Sequence, residues 1–454
     1  MFTYNSLLSK LTGFAAVSIL SLGFSLTAQA QEVLTIEQAI DRMLQNNLTI
    51  KQGALNVATS QVNLQQSKAA LFPTLNAYTS NNTLTFGRAL DPTTYTVVDK
   101  VFSGNVGIGT SVDLFGGFAK LNQIRQNKIL LAAGNSNLDK VKNDLVLQVV
   151  TSYFQVVYNR DLLRASKEQL LVAQETEKRE QALFDAGNKT TADVSQAKAQ
   201  SATAELNVTN AQNQLTISYL TLSQLMEMRS DSNDYTVVAP TVEDIATAQK
   251  SYNVNDVFNS SLSIFPDVKL AHLNTQAAAK AIDVARGAYS PKITLDGGIA
   301  SNYSYLLDSR SQNKHFFDQI GDRGNQYIAL SLQIPIFNGL TTKSNVKRAK
   351  INYENNKIQE DLVKNTLNKV IAQAVADLRA ADSRYGSTLN TFNAQKDAFN
   401  VIEQRYNVGL VNSLDYNTSR TNRNKAEIDF IQAKYDLLFR SKVIDYYLGN
   451  QISF

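Results

Sequence analysis

Residues 327–336 read Tyr-Ile-Ala-Leu-Ser-Leu-Gln-Ile-Pro-Ile, so that every second side chain is a large aliphatic one. The same alternation occupies residues 105–114, which read Asn-Val-Gly-Ile-Gly-Thr-Ser-Val-Asp-Leu. A period of two predicts β-strands with one apolar face, and a weaker alternating stretch precedes each of these strands. The sequence therefore predicts two strand pairs, at about 72–115 and about 291–337.

The length of these strands favours a membrane environment, because a strand that crosses a bilayer needs ~9–11 residues. In that environment the aliphatic set faces lipid and the small or polar set faces water. A half-buried strand of a soluble sandwich gives the same alternation and is the alternative. The residues predicted to face lipid are Val106, Ile108, Val112, Leu114, Ile328, Leu330, Leu332, Ile334 and Ile336.

The first thirty residues have the features of a secretory signal peptide. Lys10 is the only charged residue among them, the apolar run 11–26 follows it, and Ala28-Gln29-Ala30 supplies a small-residue cleavage site. A short anchor helix is the alternative. Because the chain has no cysteine, cleavage before Gln31 would leave no residue for a lipid anchor.

The composition excludes several classes of function. The chain has 454 residues with 44 basic and 40 acidic side chains, so it lacks the positive charge of a typical nucleic-acid-binding protein. It has no cysteine and only two histidines, so thiolate chemistry is excluded and a zinc site is not expected. We therefore predict no enzyme activity, no cofactor and no metal.

The chain contains one unit of about 220 residues twice. Residues 112–117, Val-Asp-Leu-Phe-Gly-Gly, correspond to residues 334–339, Ile-Pro-Ile-Phe-Asn-Gly, at an offset of 222. At the same offset, residues 184–187 correspond to residues 406–409. The predicted organisation is a signal peptide (1–30), a first repeat (31–228), a linker (229–253), a second repeat (254–448) and a C-terminal tail (449–454).

Very long helices are predicted after each strand pair, because residues 93–239 and 336–454 contain no proline. Seam residues from Ile371 to Tyr406 recur at alternating steps of three and four, which indicates coiled-coil packing. The long helices are expected at about 118–186 and 340–408, where each would be about 100 Å long.

Each long helix ends at a glycine, Gly187 or Gly409, and we expect Thr191 and Ser413 to cap the helices that return. Each repeat would thus contain a helical hairpin, with return arms at about 191–228 and 413–448. The segments at about 87–104 and 303–326 are predicted to be loops between the strands of each pair.

The four predicted strands are too few to close a sheet in lipid. Each unpaired backbone group at a strand edge costs several kcal/mol there, and the smallest single-chain barrels have about eight strands. Copies of the chain must therefore share one barrel, and two copies would supply about eight strands and three about twelve. A symmetric ring of long helices would bury the apolar stripes of the hairpins at the same time.

The chain resembles the TolC family of outer-membrane efflux and secretion channels over essentially all of residues 32–449. The resemblance rests on the two repeats, on Tyr406-Asn407-Val408-Gly409-Leu410 followed by Leu414-Asp415, and on Phe72-Pro73. It implies a mixed α and β membrane protein with internal duplication. Four transmembrane strands per chain would complete a 12-strand trimeric barrel, and the coiled-coil hairpins would form a periplasmic α-barrel.

The function that the resemblance implies is that of a homotrimeric exit duct in the Gram-negative outer membrane, within a tripartite efflux or type I secretion system. The implied partners are outer-membrane lipid, a periplasmic adaptor protein and an inner-membrane pump. The alternative function is that of a periplasmic coiled-coil adaptor or an adhesin without a pore.

The resemblance also assigns roles at the hairpin turns, which would form the periplasmic aperture. Asp415, near Asp193 and Tyr406, would become a ring of three carboxylates that binds cations. The family often has a second Asp where this chain has Thr418, and an Arg where it has Val411, so polar contacts at the mouth would be fewer. A carboxylate that only interacts with its own helix dipole is the alternative for Asp415.

The tips of the hairpins would dock to the adaptor in the same reading. The residues expected there are Gly187, Asn188, Val408, Gly409 and Leu410. Ordinary helix termination at glycine is the alternative.

Overall fold

The structure is a computed structural model that describes residues 32–90, 97–228, 235–307, 313–450 and 452. The predicted signal peptide lies outside the described residues. In chain order the elements are β1 (Glu32–Leu34), α1 (Ile36–Asn46), α2 (Leu48–Ala69), β2 (Thr74–Leu90), β3 (Val97–Gly116), α3 (Ala119–Asp185), α4 (Thr191–Leu225), β4 (Tyr235–Val237), α5 (Val242–Ala248), α6 (Val254–Ile264), α7 (Pro266–Gly287), β5 (Lys292–Leu306), α8 (Phe316–Asp322), β6 (Asn325–Gln333), α9 (Thr341–Asn407) and α10 (Ser413–Leu448).

The long helices α3 and α9 have 67 residues each, which corresponds to about 100 Å. Their bounds lie within one residue of the predicted ones. Along α9 the predicted seam is the buried stripe, with Ile371, Ala374, Leu378 and Ala381 all buried. Helix α4 packs along α3 and α10 packs along α9, while α3 and α10 bring the two hairpins into contact.

Both long helices begin at an unusual joint with the preceding strand segment. Gly117 and Phe118 before α3 have φ of +63° and +60°, and Gly339 and Leu340 before α9 have φ of +62° and +63°. A left-handed conformation is uncommon for a residue with a side chain, so its occurrence at both joints points to a shared geometry. At each joint the chain turns abruptly out of extended structure and into a helix.

The main hydrophobic core lies around the middle of the helical hairpins, where the segment predicted as a linker packs against them. Strand β4 from this segment pairs in parallel with β1, and α5 follows it. Tyr153 of α3 is fully buried there, and its single hydroxyl proton is shared between the carbonyl oxygens of Leu34 and Val238, which lie 2.9 and 3.0 Å from the hydroxyl oxygen. Burial raises the pKa of the Tyr153 phenol, which stays protonated and able to donate.

The four long strands form one antiparallel sheet in the order β2-β3-β5-β6. In the ladder Ala77, Ile108 and Ile299 lie side by side, as do Val112, Leu295 and Leu330. Paired residues project to the same face, so the aliphatic side chains of all four strands share one face, which we call the apolar face. The other, or polar, face carries mainly glycine and polar residues, among them Asn76, Gly109, Ser111, Asp296, Gly298, Tyr327 and Ser331.

Three of the residues predicted to face lipid have no pairing partner in the described sheet. Ile334 and Ile336 lie beyond β6, which ends at Gln333. Pro335 has no N–H for a ladder, and the neighbouring strand β5 begins only at Lys292, so no partner backbone is available there. Leu114 belongs to β3, but it is the extra residue of a bulge between Asp113 and Phe115, and Phe115 pairs with Ile293 instead.

The predicted loops are also shorter than expected, because the strands continue beyond the ~9–11 residues that a membrane crossing requires. Strand β2 extends to Leu90, β3 starts at Val97, and β5 extends to Leu306. Helix α8 occupies part of the segment that joins β5 to β6. Among the described residues, no helix is long and apolar enough to span a bilayer.

We expect Tyr153→Phe to weaken the contact between the linker segment and α3. The substitution removes the phenolic hydrogen bond, while the Leu34 oxygen still accepts from the amide of Val238 at 3.2 Å, so the expected cost is about 0.5–1.5 kcal/mol. Hydrogen exchange of peptides that contain residues 32–34 and 235–238 measures the effect. Tyr158→Phe is the matched control, since this half-buried tyrosine one turn further along α3 forms no hydrogen bond in the described structure. Equal exchange in the two variants would contradict the prediction.

Candidate functional site

The two hairpin turns lie at one end of the helices and have the same construction. Gly187 and Gly409 adopt the left-handed conformation, with φ of +79° and +77°. The amide after each glycine closes a wide turn: Asn188 donates to the carbonyl of Leu183 and Leu410 to that of Arg405, both at 2.9 Å. These are Schellman-type ends, in which the glycine removes the steric cost of the left-handed residue.

The helices that follow begin one residue away from the predicted caps. Thr190, rather than Thr191, caps α4, and Asn412, rather than Ser413, caps α10. The hydroxyl of Thr190 accepts from the amide of Asp193 at 3.3 Å, and the carboxylate of Asp193 accepts from the amide of Thr190 at 3.1 Å. This reciprocal pair is a capping box, which leaves one carboxylate oxygen of Asp193 available for another contact.

That second oxygen connects the two hairpins. The hydroxyl of Ser413, the first residue of α10, donates to Oδ1 of Asp193 at 2.5 Å. The hydrogen bond from Ser413, followed by those from Thr190, lowers the pKa of Asp193 to about 2. Asp193 is therefore ionised at any ordinary pH and links the start of α4 to the start of α10.

Tyr406, at the end of α9, is buried against the first hairpin. Its hydroxyl donates to Oε1 of Glu180, whose side chain is only 2% exposed. Lys189 lies beside both groups, with Nζ 3.3 Å from the Tyr406 hydroxyl and 3.2 Å from Oε2 of Glu180. Oε2 accepts no hydrogen bond in good geometry, so its contact with Lys189 is an ion pair. Burial, followed by the bond to Glu180, raises the pKa of Tyr406, so the phenol remains a donor.

An aromatic stack continues from Tyr406 into α10. The rings of Tyr406 and Tyr416 are nearly parallel, with centroids 4.4 Å apart, and Phe399 packs on Tyr416 at 5.6 Å. Arg420 lies over the other end, with its guanidinium carbon 5.6 Å from the centre of the Tyr416 ring. We call Glu180, Lys189, Tyr406, Tyr416 and Arg420 the tip cluster.

Arg420 is the buried cation of the tip cluster. It donates to Thr176 Oγ1 at 3.1 Å and to the side-chain oxygen of Gln200. In the described part of the chain, no carboxylate lies within ion-pair distance of its guanidinium. Desolvation therefore lowers its pKa, and neutral oxygens together with the face of Tyr416 stabilise its charge.

The remaining aperture residues lie on the surface. Asp415 and Thr418 are exposed, and Val411 is half-buried. The amide of Asp415 donates to the capping side chain of Asn412 at 2.8 Å, so the carboxylate itself forms no bond to another helix in the described structure. Asp193 and Tyr406 thus connect the two hairpins, whereas Asp415 projects outward from the first turn of α10.

The predicted docking residues form two exposed tips. Gly187 and Asn188 are exposed, and Val408, Gly409 and Leu410 are exposed as well, with Leu410 reaching 76%. Leu414 extends the second tip, since its side chain is also largely exposed. The second hairpin therefore ends in a small apolar surface.

Among the described residues, no group of acidic and histidine side chains is arranged to hold a metal ion.

Sequence reasoning identified Tyr406 and Asp193 but missed their partners. Glu180, Lys189, Tyr416 and Arg420 contribute charge and aromatic area that no local pattern marks. The one available signal was the seam of α3, because position 180 continues the spacing of the buried residues Ala173 and Thr176. A carboxylate at such a position indicates a buried polar contact.

Comparisons with known proteins agree with this architecture. The sequence profile of the family described as "Outer membrane efflux protein" matches residues 39–226 and 257–450. The chain belongs to this family. The match supports the outer-membrane duct expected from the sequence over the adaptor or adhesin, and the family consists of channels rather than enzymes.

Individual relatives are distant but cover most of the chain. The outer membrane efflux protein BepC of Brucella suis is 22% identical over 426 residues, which cover 94% of this chain and 88% of that protein. The solvent efflux pump outer membrane protein SrpC of Pseudomonas putida is 26% identical over 384 residues, or 82% of this chain and 76% of that protein. A crystal structure of CusC superposes with a TM-score of 0.76 at 17% identity and covers 92% of each chain. This likeness shows the TolC-like fold.

We expect the contact between Asp193 and Ser413 to weaken in acid. A lowered carboxyl pKa means that the stabilisation is complete above about pH 4 and is lost as pH falls towards about 2. Because the chain has no tryptophan, Phe184→Trp near the first turn provides a unique fluorophore whose emission reports the transition. In this background Ser413→Ala should move the acid midpoint upwards, towards the ordinary Asp value of about 3.9.

The control for this titration is Ser387→Ala, which removes an exposed hydroxyl that bonds only to its own helix α9. It should leave the midpoint unchanged. The same midpoint in the Ser413 variant and in the control would contradict the assignment of the lowered pKa to the contact between the hairpins.

Proposed function

We propose that the chain is one subunit of a homotrimeric exit duct in the Gram-negative outer membrane, which passively conducts substrates delivered by an adaptor and an inner-membrane pump. The observation that carries the proposal is the four-stranded sheet, which has one apolar face and two open edges. Family membership and the names of the relatives, an outer membrane efflux protein and a solvent efflux pump component, support the same function.

Most of the apolar face needs a cover that the described chain does not provide, since α8 packs only around Tyr303, where the Phe316 ring lies 5.1 Å from the Tyr303 ring. Ile328 is 85% exposed, and Leu330 and Leu332 of the same strand are also largely exposed. In the described structure the long helices extend beyond one end of the sheet instead of packing on this face, since α3 and α9 contact α4, α7 and α10. Lipid acyl chains are the cover that fits a band of aliphatic side chains.

The open edges argue for copies of the same chain. β2 and β6 each have one neighbour in the described sheet, so one row of backbone N–H and C=O groups on each is unpaired. In lipid these groups must be satisfied by another strand. Pairing β2 of one copy with β6 of the next satisfies both edges, and three copies close a barrel of about twelve strands.

The helical hairpins then continue the duct on the periplasmic side. Helices of about 100 Å can reach far from the membrane towards an adaptor. The exposed residues Val408, Leu410 and Leu414 supply an apolar contact surface at that end, which is the kind of patch that marks an interaction site. The residues proposed for docking are Gly187, Asn188, Val408, Gly409 and Leu410.

The tip cluster provides a way to hold the mouth closed within one chain. Tyr406 binds Glu180 and Ser413 binds Asp193, so both contacts join the second hairpin to the first. The sequence led us to expect few polar contacts here, with Val411 and Thr418 in place of an Arg and an Asp. In the structure, Glu180, Lys189 and Arg420 instead supply polar contacts between the two hairpins. Asp415 remains exposed and is proposed to form the ring of carboxylates at the aperture.

A charge on the apolar face should prevent membrane assembly, whereas one on the polar face should not. Leu330→Lys places an ammonium group where we propose lipid, at a cost of about 2–4 kcal/mol per copy near the bilayer centre. Ser331→Lys is the matched control on the adjacent residue, which projects to the polar face. We expect the first variant, and not the second, to be lost from the outer-membrane fraction and from the trimer band in mild detergent. Equal assembly of the two variants would disprove the proposed orientation of the sheet.

The aperture is tested by single-channel recording of the purified chain in planar bilayers. We expect Asp415→Ala to abolish block by divalent cations added on the side of the hairpin tips, because it removes all carboxylates of the ring. Asp397→Ala is the control, since Asp397 is an exposed carboxylate of α9 that lies before the turn. If Asp415→Ala leaves conductance and divalent block unchanged, Asp415 only interacts with the dipole of its own helix.

A further inference from the structure

The polar face of the sheet contains a patch of bare backbone. Gly109 of β3 pairs with Gly298 of β5, and Gly107 lies two residues from Gly109 on the same face. These glycines present no side chains, so they form a shallow depression at the middle of the sheet. Glycine in a strand interior weakens the strand and often marks a place where another group approaches closely.

Two tyrosines from the opposite edges of the sheet fill this depression. Tyr78 of β2 lies opposite Gly107, and Tyr327 of β6 lies opposite Gly298. A Cβ placed on Gly107 would lie 2.8 Å from Cζ of Tyr78, and one on Gly298 would lie 3.1 Å from Cε1 of Tyr327. Any larger residue would therefore displace the rings, which means that the glycines make room for the tyrosines.

The two side chains converge over the central glycine. The position that a Cβ would take on Gly109 is 3.5 Å from Cε1 of Tyr78 and 3.7 Å from the hydroxyl oxygen of Tyr327. Both rings nevertheless remain accessible, with Tyr78 39% and Tyr327 42% exposed. One side of this pair thus packs on the backbone, and the other side faces away from the sheet.

A carboxylate without a partner lies on the same face. Asp296 pairs in the ladder with Ala329, two residues from Tyr327, which places it about 7–8 Å from Tyr327 in a diagonal position. Within the described residues, Asp296 has no ion pair. Among the side chains that the structure describes on this face, the carboxylate of Asp113 is neutralised by Lys120 and Lys292 at 2.9 and 3.0 Å. The site therefore combines two aromatic faces with one free negative charge.

We propose that Tyr78, Tyr327 and Asp296 form a binding site for organic cations on the wall of the duct. The ring faces would attract a quaternary or aromatic ammonium group through cation–π contact, and Asp296 would supply the counter-charge. The inference rests on the proposed function, because only a water-filled bore along the polar face exposes the site to cargo. Repeated by the symmetry of the assembly, the site forms a belt that delays cationic cargo relative to anionic cargo of the same size.

Single-channel recordings of the purified full chain test the site with two probes of similar shape and opposite charge. Phenyltrimethylammonium should interrupt the current in resolved blocking events, whereas benzenesulfonate should not. The variant Tyr78→Leu with Tyr327→Leu should weaken the block by at least about fivefold, the lower range expected from cation–π contact. Asp296→Asn should weaken it by about two- to fivefold, since it removes one half-buried charge that faces the bore.

Two further variants separate binding from sheet stability. Tyr78→Phe with Tyr327→Phe keeps the ring faces and should retain most of the block, which a role of the hydroxyl groups would not allow. Tyr305→Leu is the matched control, because Tyr305 lies in β5 on the opposite, apolar face. It should leave the block unchanged.

The outcomes distinguish this inference from the proposed function. A conducting wild-type channel with equal block by the two probes, or equal block of the wild type and the double leucine variant, would overturn the cation site alone. Loss of block in Tyr305→Leu as well would also overturn it, since the effect would then come from the sheet as a whole. A chain that forms no conducting channel would overturn the proposed function and this inference together.

Discussion

The structure depends on one constraint: a strand edge in lipid must find a hydrogen-bonding partner, and this chain supplies a sheet with two such edges. The sheet of four strands has an apolar face that its own long helices leave uncovered and edge strands, β2 and β6, that each have one neighbour in the described structure. Neither problem has a solution within one copy of the chain. Lipid on the apolar face and identical chains at the edges would solve both, and this links assembly to membrane insertion in the proposed function.

The same constraint shapes the helical part. If the strands close around an axis, the helices attached to them must continue around that axis, so both strand pairs need equivalent joints. The left-handed pairs Gly117-Phe118 and Gly339-Leu340 provide them, and both are followed by helices of 67 residues. Helix α7 contacts both α3 and α9 and thereby fills the side of the hairpins nearest the sheet. The core around Tyr153 fixes the two hairpins at mid-height.

Most of the fold could be predicted from the sequence, because periodicity and proline positions are local signals. The bounds of α3 and α9 follow from the absence of proline and from the terminating glycines. The predictions failed where strand pairing depends on the neighbouring strand. Ile334 and Ile336 continue the alternation, but Pro335 lacks an N–H and β5 begins only at Lys292, so they have no pairing partner in β5. Leu114 fits the pattern equally well, yet it is the unpaired residue of a bulge, and Phe115 pairs with Ile293 in its place. The caps differ by one residue because both Thr190 and Asn412 are also good cap residues.

The tip cluster could not be predicted, since its contacts join residues far apart in the chain; Tyr406 and Glu180 are separated by 226 positions. Its chemistry also differs from that of the core. An apolar contact of this size would resist separation, because opening it would expose hydrocarbon to water. Glu180, Lys189 and Arg420 instead regain hydration when they separate, and a hydrogen bond to such a charged group contributes about 1.5–3 kcal/mol net. A polar contact between the hairpins is therefore specific while it is formed and is exchanged for contacts with water when it opens, as the proposed aperture would require.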